Sequence, residues 1–131
     1  MATFRLQIVT PEGCPFDAQA EALRLCTSEG YVSIRAQHAD YIATLGIGIV
    51  TLTTEGTSKD AACGGGFVTV EKGAVRLVAT SFEYADEIDV ERAEQAKLAA
   101  EQILAESKDH EDIKLAKARL ARAVNRLKIA K

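Results

Sequence analysis

Residues 83–101, EYADEIDVERAEQAKLAAE, mark the place where the hydrophobic period of the chain changes. Upstream of Asp86, FRLQIVT (4–10), IVTLTT (49–54), FVTVE (67–71) and VRLVATS (75–81) put apolar side chains on alternate positions or in short β-branched runs, as half-buried strands do. Downstream of Asp89, Ala93, Ala96, Ala100 and Ile103 recur at intervals of three and four, as do Ile113, Ala116, Leu120, Ala123, Leu127 and Ala130. Each set lines one helical face. Between them ESKDHED (106–112) supplies the polar break of a helical hairpin. The expected fold class is α+β: an antiparallel β-sandwich over residues 1–87, then an antiparallel two-helix hairpin over residues 88–131.

The first part predicts strands over residues 3–10, 20–27, 31–35, 41–45, 48–54, 59–63, 66–71 and 74–81. Glu55-Gly56 and Lys72-Gly73 each place Gly second in a two-residue connection, where positive φ costs least, so each closes a hairpin. Gly64-Gly65-Gly66 has no Lys-Ser/Thr pair after it and leads into a strand, which argues for a bulge or close backbone approach and against a phosphate loop. Asp89 suits the N-cap of the first helix, with Asp86 and Glu87 near its positive end. That helix is expected to reach Ala105, the turn to span Ser107–Asp112, and the second helix to start at Ile113.

With 131 residues, 47% of them hydrophobic, and two prolines, the chain has room for one moderate core and an appendage, and a large enzyme is excluded. No apolar run approaches the ~20 residues that span a bilayer, and no basic-then-apolar signal order opens the chain, so a soluble, cytosolic protein is expected. Cys14, Cys26 and Cys63 are odd in number and form no CxxC pair, which points to reduced thiols. His38 and His110 are the only histidines, which leaves a nucleophilic reading of Cys63 without a ready base and makes a metal site improbable.

Net charge is −3, but its distribution is uneven. Residues 1–87 hold six Lys/Arg against eleven Asp/Glu, giving −5; residues 88–131 hold ten against eight, giving +2. After Asp112 no acidic residue remains, while Lys114, Lys117, Arg119, Arg122, Arg126, Lys128 and Lys131 are all basic. Such a helix either attracts an acidic partner or presents a solvated face that favours the negative end of its own dipole. The alanine faces between the helices permit close approach but remove little apolar area, so docking at ~25 cal/mol per Å² is weak. That suits a switch as well as a stable hairpin strapped to the sandwich. Closed, the hairpin is about 27 Å long; straightened, it reaches about 60 Å at ~1.5 Å per residue.

FRLQIVTPEG (4–13), GGGFVTV (64–70), VRLVATS (75–81), the seam at 83–101 with IDVERA (88–93) inside it, and RLARAVNRL (119–127) resemble the epsilon subunit of F-type ATP synthases over essentially the whole chain. The resemblance implies a non-catalytic subunit of the rotor's central stalk, peripheral on the cytoplasmic face of the cell membrane. Its implied partners are the gamma subunit and the membrane rotor ring of c subunits for the sandwich. For the extended hairpin they are the beta and alpha subunits of the catalytic head, where the basic helix (Lys114, Lys117, Arg119, Arg122, Arg126, Lys128) inhibits ATP hydrolysis. No cofactor is required and no direct membrane insertion is implied.

Some members of the family bind ATP as a regulatory ligand of the closed hairpin, and Ile88, Asp89, Arg92 and Ala93 match their motif, with Arg119, Arg122 and Arg126 on one stripe of the second helix. Ala99 and Leu115 stand where ATP-binding members carry arginine. The loop at 28–45 keeps only His38-Ala39 of the family's proline-bracketed run, and Glu29, Gly30 and His38 are the implied rotor-ring contacts. A competing reading is a free-standing ATP sensor acting through the hairpin arginines. A nucleic-acid module is disfavoured, because the sandwich is acidic and has no aromatic-rich basic surface.

Overall fold

The computed structural model describes residues 2–130, so Lys131, the last of the basic residues named above, lies outside the described residues. Ten strands come first: β1 (Phe4–Thr10), β2 (Gly13–Ala20), β3 (Ala22–Thr27), β4 (Gly30–Arg35), β5 (Tyr41–Leu45), β6 (Gly48–Thr54), β7 (Thr57–Cys63), β8 (Gly66–Glu71), β9 (Ala74–Ala79) and β10 (Phe82–Tyr84). One 3₁₀ turn, Ala85–Glu87, leads into α1 (Val90–Glu106) and α2 (His110–Ile129). The strands hydrogen-bond in the order β10-β7-β6-β3-β5-β8-β9-β1-β2, with β4 on β3. Pairings are antiparallel except between β1 and β9, which run parallel with Leu6 opposite Val75 and Ile8 opposite Leu77. That exception to the expected antiparallel sandwich brings the first strand against the last long one.

Alternation does what the sequence leads one to expect. Phe4, Leu6 and Ile8 of β1, Leu23 and Leu25 of β3, Val50 and Leu52 of β6, Val68 and Val70 of β8, and Val75 and Leu77 of β9 form one buried core to which no helix residue belongs. The two Gly turns are both of the primed kind, with φ of 49° and 77° at Glu55 and Gly56 and 52° and 79° at Lys72 and Gly73.

Several boundaries differ from the expectation. β2 (GCPFDAQA) went unforeseen because it is an exposed edge strand with Pro15 in it and no alternation, held by its ladder with β1. β10 is three residues long, below what a period can reveal, and exists by pairing with β7. The strand expected over 20–27 divides at Glu21, and that over 74–81 ends at Ala79. α2 starts three residues before Ile113, because Asp109 caps it by accepting from the amides of Glu111 and Asp112 at 2.9 and 3.4 Å, and the polar first turn carries no apolar signal. In the seam, Ala93, Ala100, Ala116 and Ala123 are buried as expected, whereas Ala96 faces a cavity.

No helix among the described residues is long and apolar enough to cross a membrane. The three cysteines are unbridged, and burial pushes the Cys63 thiol above its ordinary value. It keeps its proton and is a poor nucleophile.

Candidate functional site

Where α1 and α2 meet the sandwich, a cavity of about 420 Å³ is lined by residues from three places. Asp89, Arg92, Ala93 and Ala96 come from the start of α1, Arg126 from α2, and Thr10, Glu12, Thr80, Ser81, Glu83 and Glu87 from the strands and the 3₁₀ turn. Asp89 is there as the helix cap, its Oδ1 accepting from the Arg92 amide at 3.1 Å. Arg126 is tied down: its Nε donates to Glu83 Oε1 at 2.6 Å, in a partly exposed ion pair. The cavity therefore holds two guanidinium groups, Arg92 and Arg126, among the carboxylates Glu12, Glu83, Glu87 and Asp89. Glu83 takes the Nε–H of Arg126, and the terminal guanidinium nitrogens are the donors left for an anionic ligand.

Of the seven residues expected to bind nucleotide, four share this cavity. Ile88 is buried beside it and is not in its lining. Arg122 points to the sandwich, its Nε donating to the Gly64 carbonyl at 3.3 Å. Arg119 lies near the hairpin turn, in a separate depression with Ile103, Glu106, Asp112 and Leu115. Their spacing along one stripe is real, but the α2 side chains that hydrogen-bond to the sandwich are Arg122, Asn125 and Arg126. Glu83, the partner of Arg126, is the residue the sequence did not single out; its place opposite Ala62 in the short β10 ladder carries it toward α2.

The triple glycine serves packing. A Cβ on Gly64 would come 2.2 Å from Ser81 Oγ and 3.3 Å from Arg122 Nε, so only glycine lets α2 and the β9–β10 connection approach together.

The basic residues of α2 are thus divided. Arg122 and Arg126 turn inward to the sandwich, while Lys114, Lys117, Arg119 and Lys128 are exposed. Among the described residues, Arg126 is the member of this set that is ion-paired.

A second surface lies on the β5–β8 ladder. Ile42 and Phe67, 73% and 44% exposed, flank a depression lined also by Ser28, Glu29, Tyr41 and Thr44. Glu29, expected at the rotor ring, belongs to it; Gly30 follows directly in the β3–β4 turn with φ of 123°. His38 lies in the connection between β4 and β5, its ring edge-on to Tyr41 at 5.7 Å.

Two family models match the chain. Residues 3–85 match the ATP synthase delta/epsilon chain beta-sandwich domain, and residues 86–131 the long alpha-helix domain of the same chain. The ATP synthase epsilon chain of Ruminococcus albus is 39% identical over 131 residues, covering 99% of this chain and 98% of its own length. That of Bacillus velezensis is 40% identical over 130 residues with the same coverage. Among solved structures, a chain of the Euglena gracilis mitochondrial ATP synthase superposes with a TM-score of 0.81 at 22% identity, covering 95% of this chain and 79% of the other, a likeness of fold.

Proposed function

The chain belongs to the ATP synthase delta/epsilon family, and from that membership we infer that it is the epsilon subunit, a non-catalytic part of the rotor's central stalk. The observation that carries this is the full-length match to epsilon chains at 39% and 40% identity, over both the sandwich and the helices. The sandwich joins the gamma subunit and the ring of c subunits, peripheral to the membrane, on its cytoplasmic face. The exposed Ile42 and Phe67, with Glu29 beside them, are the surface that supports this part of the reading. The double substitution Ile42→Glu and Phe67→Glu places two charges on that face without touching the core. In a synthase depleted of its epsilon subunit and then resupplied, this variant is expected to lose association with the rotor ring of c subunits by at least tenfold, since the apolar area of two large side chains is worth more than ~1.4 kcal/mol. Association equal to that of the unaltered protein refutes the assignment of this face.

The hairpin regulates. Closed, it leaves hydrolysis running; extended, it carries the basic helix to the beta and alpha subunits of the catalytic head and inhibits it. Support comes from the small seam and from the helix after Asp112 having no acidic residue.

ATP as a regulatory ligand of the closed hairpin is the second reading, favoured by Asp89, Arg92, Ala93 and Arg126 lining one cavity. A ligand at a hundred times its Kd stabilises the closed form by ~2.7 kcal/mol. Millimolar ATP is therefore expected to raise the melting temperature by several degrees, and Arg92→Ala to abolish the rise. A melt indifferent to ATP in the unaltered protein ends this reading.

A further inference from the structure

Three side chains of α2 reach across to the sandwich, and one differs in kind. Arg122 and Arg126 are charged, partly exposed and able to swing to water. Asn125 is 9% exposed, and its Nδ2 donates to the Gly48 carbonyl at 2.7 Å. A buried carboxamide with no partner costs far more than an exposed one, so this bond is lost only when α2 leaves the surface.

The acceptor is held as firmly as the donor. A Cβ on Gly48 would come 2.6 Å from Cys26 Cβ and 3.2 Å from the Tyr31 hydroxyl. The next amide, that of Ile49, donates to the same hydroxyl at 3.3 Å, and the Arg24 guanidinium covers the Tyr31 ring at 4.3 Å. The start of β6 is therefore wedged against β3 and β4, and its carbonyl offers one direction. Gly48 permits this wedge, and no larger residue does.

We propose that Asn125 is the positioning residue that keeps the hairpin closed, its carboxamide reading the Gly48 carbonyl and setting the register of α2 on β6 and β7. The inference rests on the reading that the hairpin opens, and it names the contact that opening must break. The seam of alanines binds the helices to each other but says little about where the pair lies on the sandwich. Asn125 supplies the buried, directional part of that placement beside the more exposed Arg122 and Arg126 contacts, and so few polar bonds leave the closed form reversible.

Amide hydrogen exchange on the intact protein tests it. Asn125→Asp keeps the shape, removes the donor and sets a carboxylate against the carbonyl. Amides of α2 between Ala116 and Arg126 are expected to exchange about tenfold faster, while those of Leu25 and Leu77 in the sandwich core stay unchanged. Asn125→Gln, which keeps a donor, restores part of the protection, and Lys117→Ala on the exposed face changes nothing. Protection of α2 in Asn125→Asp equal to that of the unaltered protein overturns the proposal. So does equal acceleration in helix and core, which would be loss of the whole fold. Faster α2 exchange with unchanged inhibition of hydrolysis in the reassembled synthase supports the Asn125 contact and counts against the regulatory role of the hairpin.

Discussion

Gly66→Ala is expected to destabilise the protein by about 4 kcal/mol, which lowers the melting temperature by about 15 °C in a domain of this size. Two costs combine there. At φ of 137° the residue occupies backbone space essentially reserved for glycine, and a Cβ would lie 1.9 Å from the Val78 carbonyl oxygen and 2.9 Å from the Cα of Ala79. Both neighbours are backbone of β9, the strand that pairs with β8 and β1, so neither can step aside without disturbing the ladder that holds Leu77 in the core. Gly56→Ala is the comparison: φ is 77°, nothing lies within 4 Å, and a loss of only ~1 kcal/mol follows from the turn conformation alone. Thermal melts of the two variants measure the difference. Equal shifts would mean that close approach at the triple glycine carries no weight.

Removing residues 88–131 from the subunit is expected to raise ATP hydrolysis by the reassembled synthase while coupling to ion flow persists. If the inhibited form holds nine complexes in ten, emptying it raises the rate about tenfold. The remaining sandwich should fold, because every member of its core cluster precedes Ala85 and no helix residue enters it. Its exposed β5–β8 face is untouched by the deletion. Hydrolysis that stays as low as with the whole chain would show that the hairpin does not inhibit; loss of coupling together with loss of gamma association would show that the helices are needed for assembly.

These experiments probe properties that were not equally readable in the chain. The strands with a buried face, such as β6 with Val50 and Leu52, announce themselves by alternation. The edge strand β2, whose side chains are mostly exposed and which includes Pro15, does not, since its existence depends on a neighbour. The candidate site shows the same division. Asp89 was recognisable as a cap from local chemistry, and it is one. Glu83 and Asn125 gave no sign, because a carboxylate in a three-residue strand and an amide in a basic helix acquire roles only from what faces them.

By itself the sequence determined the order of two parts, the alternation that builds the sandwich core, the alanine seam, the primed turns and the separation of charge between sandwich and tail. All of these are set by contacts between near neighbours or by composition. The tertiary structure decided which arginines turn inward, that Arg126 is occupied by Glu83, that Arg119 stands apart from the cavity, and that Asn125 meets Gly48. Those outcomes depend on where α2 lies on the sheet across separations of 43 and 77 residues. A helical period says which side chains share a stripe; only the partner surface says which of them it can reach.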